Sequence, residues 1–175
     1  MIEIKLEDSQ IQQALSRLKS QMTTGRRSVM AEIGEHLQES VKQRFERSEG
    51  PDGQKWEANS DSVIAGVLKQ TKGNYKKRGG LTTRGQKRAS SKKPLIGDTH
   101  QLKNVHKEVS ADHVQIGSSR IQARVQQYGA KKGAFGQTKR NTPIPWGDIP
   151  ARPYLGFSDD DKSVIMEILK RAFRS

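Results

Sequence analysis

The chain has 175 residues, 31% of them hydrophobic, no cysteine and a formal net charge of +13, which fits a single domain with a thin core. Without cysteine there is no disulfide, no thiol nucleophile and no Cys-ligated zinc, which fits a reducing compartment. No apolar run approaches the ~20 residues of a membrane span, and the N-terminal stretch lacks the apolar core and small-residue cleavage site of a signal peptide.

In chain order, Ile2, Ile4 and Leu6 alternate with charged residues and predict a short half-buried strand. Asp8 or Ser9 can cap a helix over residues 9–22, whose inward face is Ile11, Leu15, Leu18 and Met22, and Thr23, Thr24 and Gly25 end it. Val29, Ile33, Leu37, Val41 and Phe45 recur every four residues and predict a helix over about 26–47. A four-residue step turns 400°, so this stripe drifts about 40° per step and roughly 160° over the helix. Its two ends must therefore meet different neighbours, and part of the stripe is expected to be buried between subunits. Gly50, Pro51, Asp52 and Gly53 carry the residues of a type I turn, with Trp56 behind it. Residues 60–69 predict a short helix.

Residues 69–93 stand apart. They hold ten cations (Lys69, Lys72, Lys76, Lys77, Arg78, Arg84, Lys87, Arg88, Lys92 and Lys93) and no acid. Leu81 is their only Leu, Ile, Val or Phe, so the other 150 residues carry 34 of the 35 and a net charge of +3. With four glycines and no periodicity, the segment predicts a basic, flexible insertion in a single domain spanning 1–175.

Asp98 or Thr99 can cap one turn ending near Leu102. Residues 104–110 and 112–117 alternate as an antiparallel hairpin. A short helix follows with Ile121, Val125 and Tyr128 as its apolar residues, ended by Gly129. Residues 130–148 read as a Gly- and Pro-punctuated loop, and 149–154 as extended chain, because residues preceding proline avoid the helical region. Ser158 caps a final amphipathic helix with Asp159, Asp160 and Asp161 at its positive end and Lys170, Arg171 and Arg174 at its negative end. The fold class is thus α+β: N-terminal helices, a small antiparallel β-sheet, a long basic loop, and a C-terminal amphipathic helix packed on the sheet.

Chemical motifs are few. Three consecutive aspartates fan around a helix instead of converging on a cation, so they read as helix-terminus charges. His100, Asn104 and His106 are too closely spaced for a His-Asn-His nuclease centre, and with His36 and His113 they read as surface residues. There is no Gly-x-Ser-x-Gly elbow and no phosphate-binding Gly-x-x-x-x-Gly-Lys loop. No catalytic, metal or cofactor residue is assigned, and no enzyme is expected. The ten cations are the strong feature. They suit phosphate, whose neutralisation releases counterions, or an acidic protein surface; the remaining reading is a solvated loop with no partner. Tyr75 alone gives little support for base stacking.

Five ordered stretches resemble a known family. Phe45 followed by Pro51, Asp52, Gly53 and Trp56 resembles its signature F…PDG..W. Leu95 to Leu102 resembles L..TG.L, with Asp98-Thr99 in place of Thr-Gly. Val114 to Ser118, including Gly117 and Ser118, resembles V.IGS. Ala123 to Gly129 resembles YA.iHQfG, with Gln126 where histidine is common. Ile149 to Ser158, including Arg152, Pro153, Tyr154 and Leu155, resembles iPARPfLGlS. These belong to the virion morphogenesis family of tailed phages and prophages, which includes Mu-like phages. The resemblance covers about residues 45–165.

It implies a non-enzymatic structural protein without cofactor that acts in tail completion and head–tail joining. Such a protein is assembled in the host cytoplasm and retained in the virion neck. The implied partners are further copies of the chain in a ring, of which a hexamer is one case since the sequence does not give its size, and portal or connector and tail terminator or tail tube proteins, with no membrane; packaged DNA at the basic segment is a further partner, read from its charge and not from the resemblance. From another class, a basic nucleic-acid-binding protein is the alternative. A metal-dependent nuclease comes third. Two further expectations concern single residues: Trp56 anchors the turn before it, and Arg152 pairs with a carboxylate on a neighbouring chain.

Overall fold

The computed structural model describes residues 8–21, 25–97 and 102–174. The expected strand at Ile2 to Leu6, the residues expected to end the first helix at Thr23 and Thr24, the Asp98 or Thr99 cap and His100 lie outside them. Helix α1 (Ser9–Gln21) starts at Asp8, whose Oδ1 accepts the amides of Gln10 and Ile11 at 3.0 and 3.2 Å. Helix α2 (Arg26–Arg47) begins after Gly25 and ends at Ser48, both left-handed.

The drift of the α2 stripe organises the interior. Its first half (Met30, Ile33, Leu37) packs with Ile11 and Leu18 of α1 and with Ile165, Ile168 and Leu169. Its second half (Val41, Phe45) packs with Trp56, Leu102, Val105, Ala123, Tyr154 and Leu155. The two ends do meet different neighbours, but both sets belong to the same chain. Ile33, Leu37, Val41 and Phe45 are all buried, so these positions are not left for a subunit interface, contrary to the sequence expectation.

The hairpin forms as expected, with β1 (His106–Val109) antiparallel to β2 (Val114–Gly117) and Val109 opposite Val114. It lies against α2 at Gly34, where a Cβ would stand 2.5 Å from Lys107 Cδ and 2.8 Å from Val114 Cγ2. The last helix, which the sequence places on the sheet, instead packs mainly along α1 and α2. Two short strands offer it only the flank of the cluster, through Val109, Val114 and Ile116.

Helix α3 (Asp61–Lys69) matches its expectation. The segment read as loop does not: it contains α4 (Thr83–Ser91). Helix α5 (Ala123–Tyr128) is present but turned from the expected orientation. Ala123 and Gln127 face inward, while Ile121 is 93% exposed and Tyr128 is also outside. Residues 130–149 form an irregular hairpin arm rather than plain loop. Ala130 and Ile149 exchange two backbone hydrogen bonds at 2.9 and 2.7 Å, and Phe135 donates to Ile144 at 2.8 Å. Helix α6 (Asp159–Ala172) closes the chain.

Candidate functional site: a braced basic lobe and an apolar arm

The recurring motifs meet around one aromatic group. Gly53 donates to the Gly50 carbonyl at 3.1 Å, closing the expected turn, and the Asp52 side chain accepts the Gln54 amide at 3.1 Å. The turn delivers Trp56 edge-on to Phe45, with centroids 5.2 Å apart, and Tyr154 meets Phe45 similarly at 5.3 Å. Trp56 Nε1 donates to the Pro153 carbonyl at 2.8 Å. Pro51 sits against Gly156, where a Cβ would be 2.8 Å from its Cγ. Gly117 and Ser118 are buried where β2 ends. Gly129 has φ +73°, and a Cβ there would stand 2.7 Å from the Ile149 carbonyl oxygen, so glycine is required for the arm to leave α5.

Three polar side chains tie this group together, of which sequence reasoning missed Gln127 and Arg44 and gave Asp161 its helix-terminus role alone. Gln127 is buried. Its Oε1 accepts the amides of Tyr154 and Leu155 at 3.0 and 3.1 Å, and its Nε2 donates to the Leu155 carbonyl at 2.8 Å. It thus supplies the hydrogen bonds a neighbouring strand would give. Arg44 Nη1 donates to the carbonyls of Tyr154 and Gly156 at 3.0 and 2.9 Å, and Nη2 pairs with Asp161. Asp161 also completes the Ser158 capping box, while Asp159 and Asp160 remain exposed. Burial raises the Asp161 pKa. Hydrogen bonds from the Ser158 amide and from the Ser40 and Ser158 hydroxyls, with the Arg44 charge, outweigh burial and hold it below the usual carboxylate value. His36 Nε2 lies 3.1 Å from the other Asp161 oxygen, and His113 bonds its neighbour Asp112 at 2.9 Å. Spacing held a signal for two of the three: Arg44 continues the stripe from Leu37 and Val41, and Asp161 is the third residue after its cap.

The basic segment folds as a lobe around uncharged contacts. Asn74, 0% exposed, donates to the carbonyls of Leu68 and Thr71 at 2.8 and 2.9 Å. Thr82 caps α4 by accepting the Gly85 amide at 3.1 Å and donates to the Gly73 carbonyl at 2.8 Å. Gly85 permits the closest approach, since a Cβ would stand 2.2 Å from the Asn74 carbonyl oxygen. The turn at 76–80 closes by the Lys76 amide donating to the Gly80 carbonyl at 3.0 Å. Lys77 and Arg78 project from it, exposed.

Lys69, Lys72, Lys76, Lys77, Arg78, Arg84, Lys87 and Lys93 are exposed, and Arg88 and Lys92 are half-buried. Among the described residues, none of the ten pairs with a carboxylate.

Arg152 has another task than the sequence suggests. It is 7% exposed, and its Nε and Nη2 donate to the carbonyls of Glu57 and Ala58 at 2.8 and 3.0 Å. Both contacts are within the chain, so its fork is not presented to a neighbour. With Asn59 donating to the Lys92 carbonyl and Lys93 to that of Glu46, it braces the base of the lobe. Arg152→Ala leaves two carbonyls without their charged donor and should cost about 1.5–3 kcal/mol. Trypsin should then cut within residues 69–93 faster than in the parent, which limited proteolysis reads directly.

The second exposed feature is apolar. Ile121 in the turn before α5, Tyr128 at the end of α5, and Phe135, Ile144 and Trp146 on the arm are five of the large exposed hydrophobics, with Trp146 at 76% exposure. No described helix is long and apolar enough to cross a membrane.

No curated protein and no solved structure matches the chain. Residues 6–174 do match one family description, phage virion morphogenesis. That match takes in the aromatic group, the Gln127 and Arg44 ties, the basic lobe and the arm, and it covers nearly the whole sequence. The chain is therefore a member of the phage virion morphogenesis family.

Proposed function

We propose that this chain is a non-enzymatic structural component of the virion neck, acting in tail completion and head–tail joining as a homo-oligomeric ring. In this reading it is assembled in the host cytoplasm and sits between the portal or connector and the tail terminator or tail tube. Membership of a virion morphogenesis family supports the assembly role. The observation that carries the ring is the arm. Phe135 and Trp146 are large aromatics held outside the fold, and interfaces are built on such anchors. An arm on one face that seats on a different face of the next copy gives a head-to-tail contact, which closes into a ring when the rotation allows.

Solution mass tests the reading. The parent chain should show a discrete multiple of 19.6 kDa, and the double variant Phe135→Ala, Trp146→Ala should fall to monomer with unchanged far-ultraviolet circular dichroism. A strictly monomeric parent overturns the ring. If that monomer also binds nucleic acid tightly, the basic nucleic-acid-binding alternative takes its place.

A further inference from the structure

We propose that the lobe formed by α3, the 70–82 connection and α4 binds the phosphate backbone of duplex DNA and reads no base sequence. The choice of duplex DNA as the polyanion rests on the neck reading, in which the genome passes through the ring. The binding chemistry rests on the lobe itself.

Three observations carry it. Apart from Lys93, whose Nζ donates to the Glu46 carbonyl at the base, the cations are not needed to fold the lobe, because Asn74, Thr82 and Gly85 hold it with neutral contacts. They are also unneutralised: of the eight from Lys69 to Arg88, seven are exposed, and none pairs with a carboxylate among the described residues. So many like charges on one small lobe repel one another until a polyanion covers them.

The third observation separates DNA from an acidic protein. A protein interface has an apolar core, whereas a DNA interface is more polar and strongly positive. The lobe exposes only Val63 and Tyr75 among large hydrophobics, while residues 121–146, from the turn before α5 through the arm, expose five. The two faces thus differ in the partner they suit: protein at the arm, phosphate at the lobe. Arg84, Lys87 and Arg88 share one side of α4 at spacings of three and four. Lys77 and Arg78 stand on the 76–80 turn. Seven of the ten cations are lysines, point charges suited to backbone contact rather than to the planar recognition of base edges that arginine favours.

The test is fluorescence anisotropy of the purified parent with two 24-bp duplexes of unrelated sequence and with poly-glutamate, solution mass being measured on the same samples. Both duplexes should bind alike, and affinity should fall by about 10³-fold between 50 and 200 mM salt. The variant Lys76→Gln, Lys77→Gln, Arg78→Gln, Lys87→Gln, Arg88→Gln should keep its circular dichroism and solution mass. Its salt slope should drop by about 4.5 if all five make contact, since each phosphate contact contributes about 0.9. Absence of duplex binding at 50 mM salt, binding undiminished in this variant, or poly-glutamate binding as tight as DNA would each overturn the proposal. A ring that persists in such a result leaves the neck reading standing, whereas loss of the parent ring counts against that reading alone.

Discussion

Arg44→Ala should destabilise the chain by about 3–5 kcal/mol, because it leaves the Asp161 carboxylate buried without its cation. Both side chains are almost fully excluded from solvent. Arg44 also holds the carbonyls of Tyr154 and Gly156, so its loss releases the extended segment as well as the helix start. Lysine should not restore the parent, since a single ammonium cannot hold three acceptors in the geometry of a planar fork. Urea unfolding gives the difference, and a parent-like midpoint for Arg44→Ala would show that the pair does not hold α2 to α6.

The same pair sets a pH dependence. The folded Asp161 pKa lies below its usual value, so its contribution is complete above the ordinary carboxylate pKa of about 3.9 and is lost as pH falls through the folded value. Stability should therefore drop below about pH 4, and Asp161→Asn should flatten that acid limb while lowering stability at pH 7.

Trp56→Ala should cost about 3–5 kcal/mol. The indole is buried, packs edge-on to Phe45 and donates to the Pro153 carbonyl. Truncation therefore opens a cavity and orphans a carbonyl together. Trp56→Phe keeps the ring and loses the donor, so it should recover most of that loss. A denaturation midpoint equal to the parent for Trp56→Ala would remove the anchor role from this motif.

Much of this architecture is legible in the amino-acid sequence. The four-residue repeat from Val29 to Phe45 predicts α2, and its drift predicts two sets of neighbours, which are the two core clusters. The repeat carries no sign of whether those neighbours lie on the same chain, and they do. Ser158 with three aspartates predicts the start of α6, and Asp161 turns out to be both cap and buried ion-pair partner. Helix α4 is invisible to periodicity because its inward contact is Gly85 against the backbone of Asn74 rather than an apolar face. In α5 the inward places go to Ala123 and to Gln127, which bonds the 154–155 backbone, so Tyr128 and, just before the helix, Ile121 are left outside. Arg152 reads as an intermolecular residue by type alone. Only the fold shows the Glu57 and Ala58 carbonyls it holds.

The two surfaces divide the proposed labour. The arm would join protein to protein, the lobe would face the genome, and the buried ties from Arg44, Gln127 and Arg152 hold both to one frame. That division follows from where the chain leaves its apolar and its charged residues outside the core.

The central claim is that the protein joins heads to tails. Electron microscopy of lysates from a phage or prophage in which this reading frame is interrupted tests it most directly. The account predicts filled heads alongside separate tails, with joined particles restored when the intact chain is supplied in trans. Normal, infectious virions in the absence of the chain would contradict it.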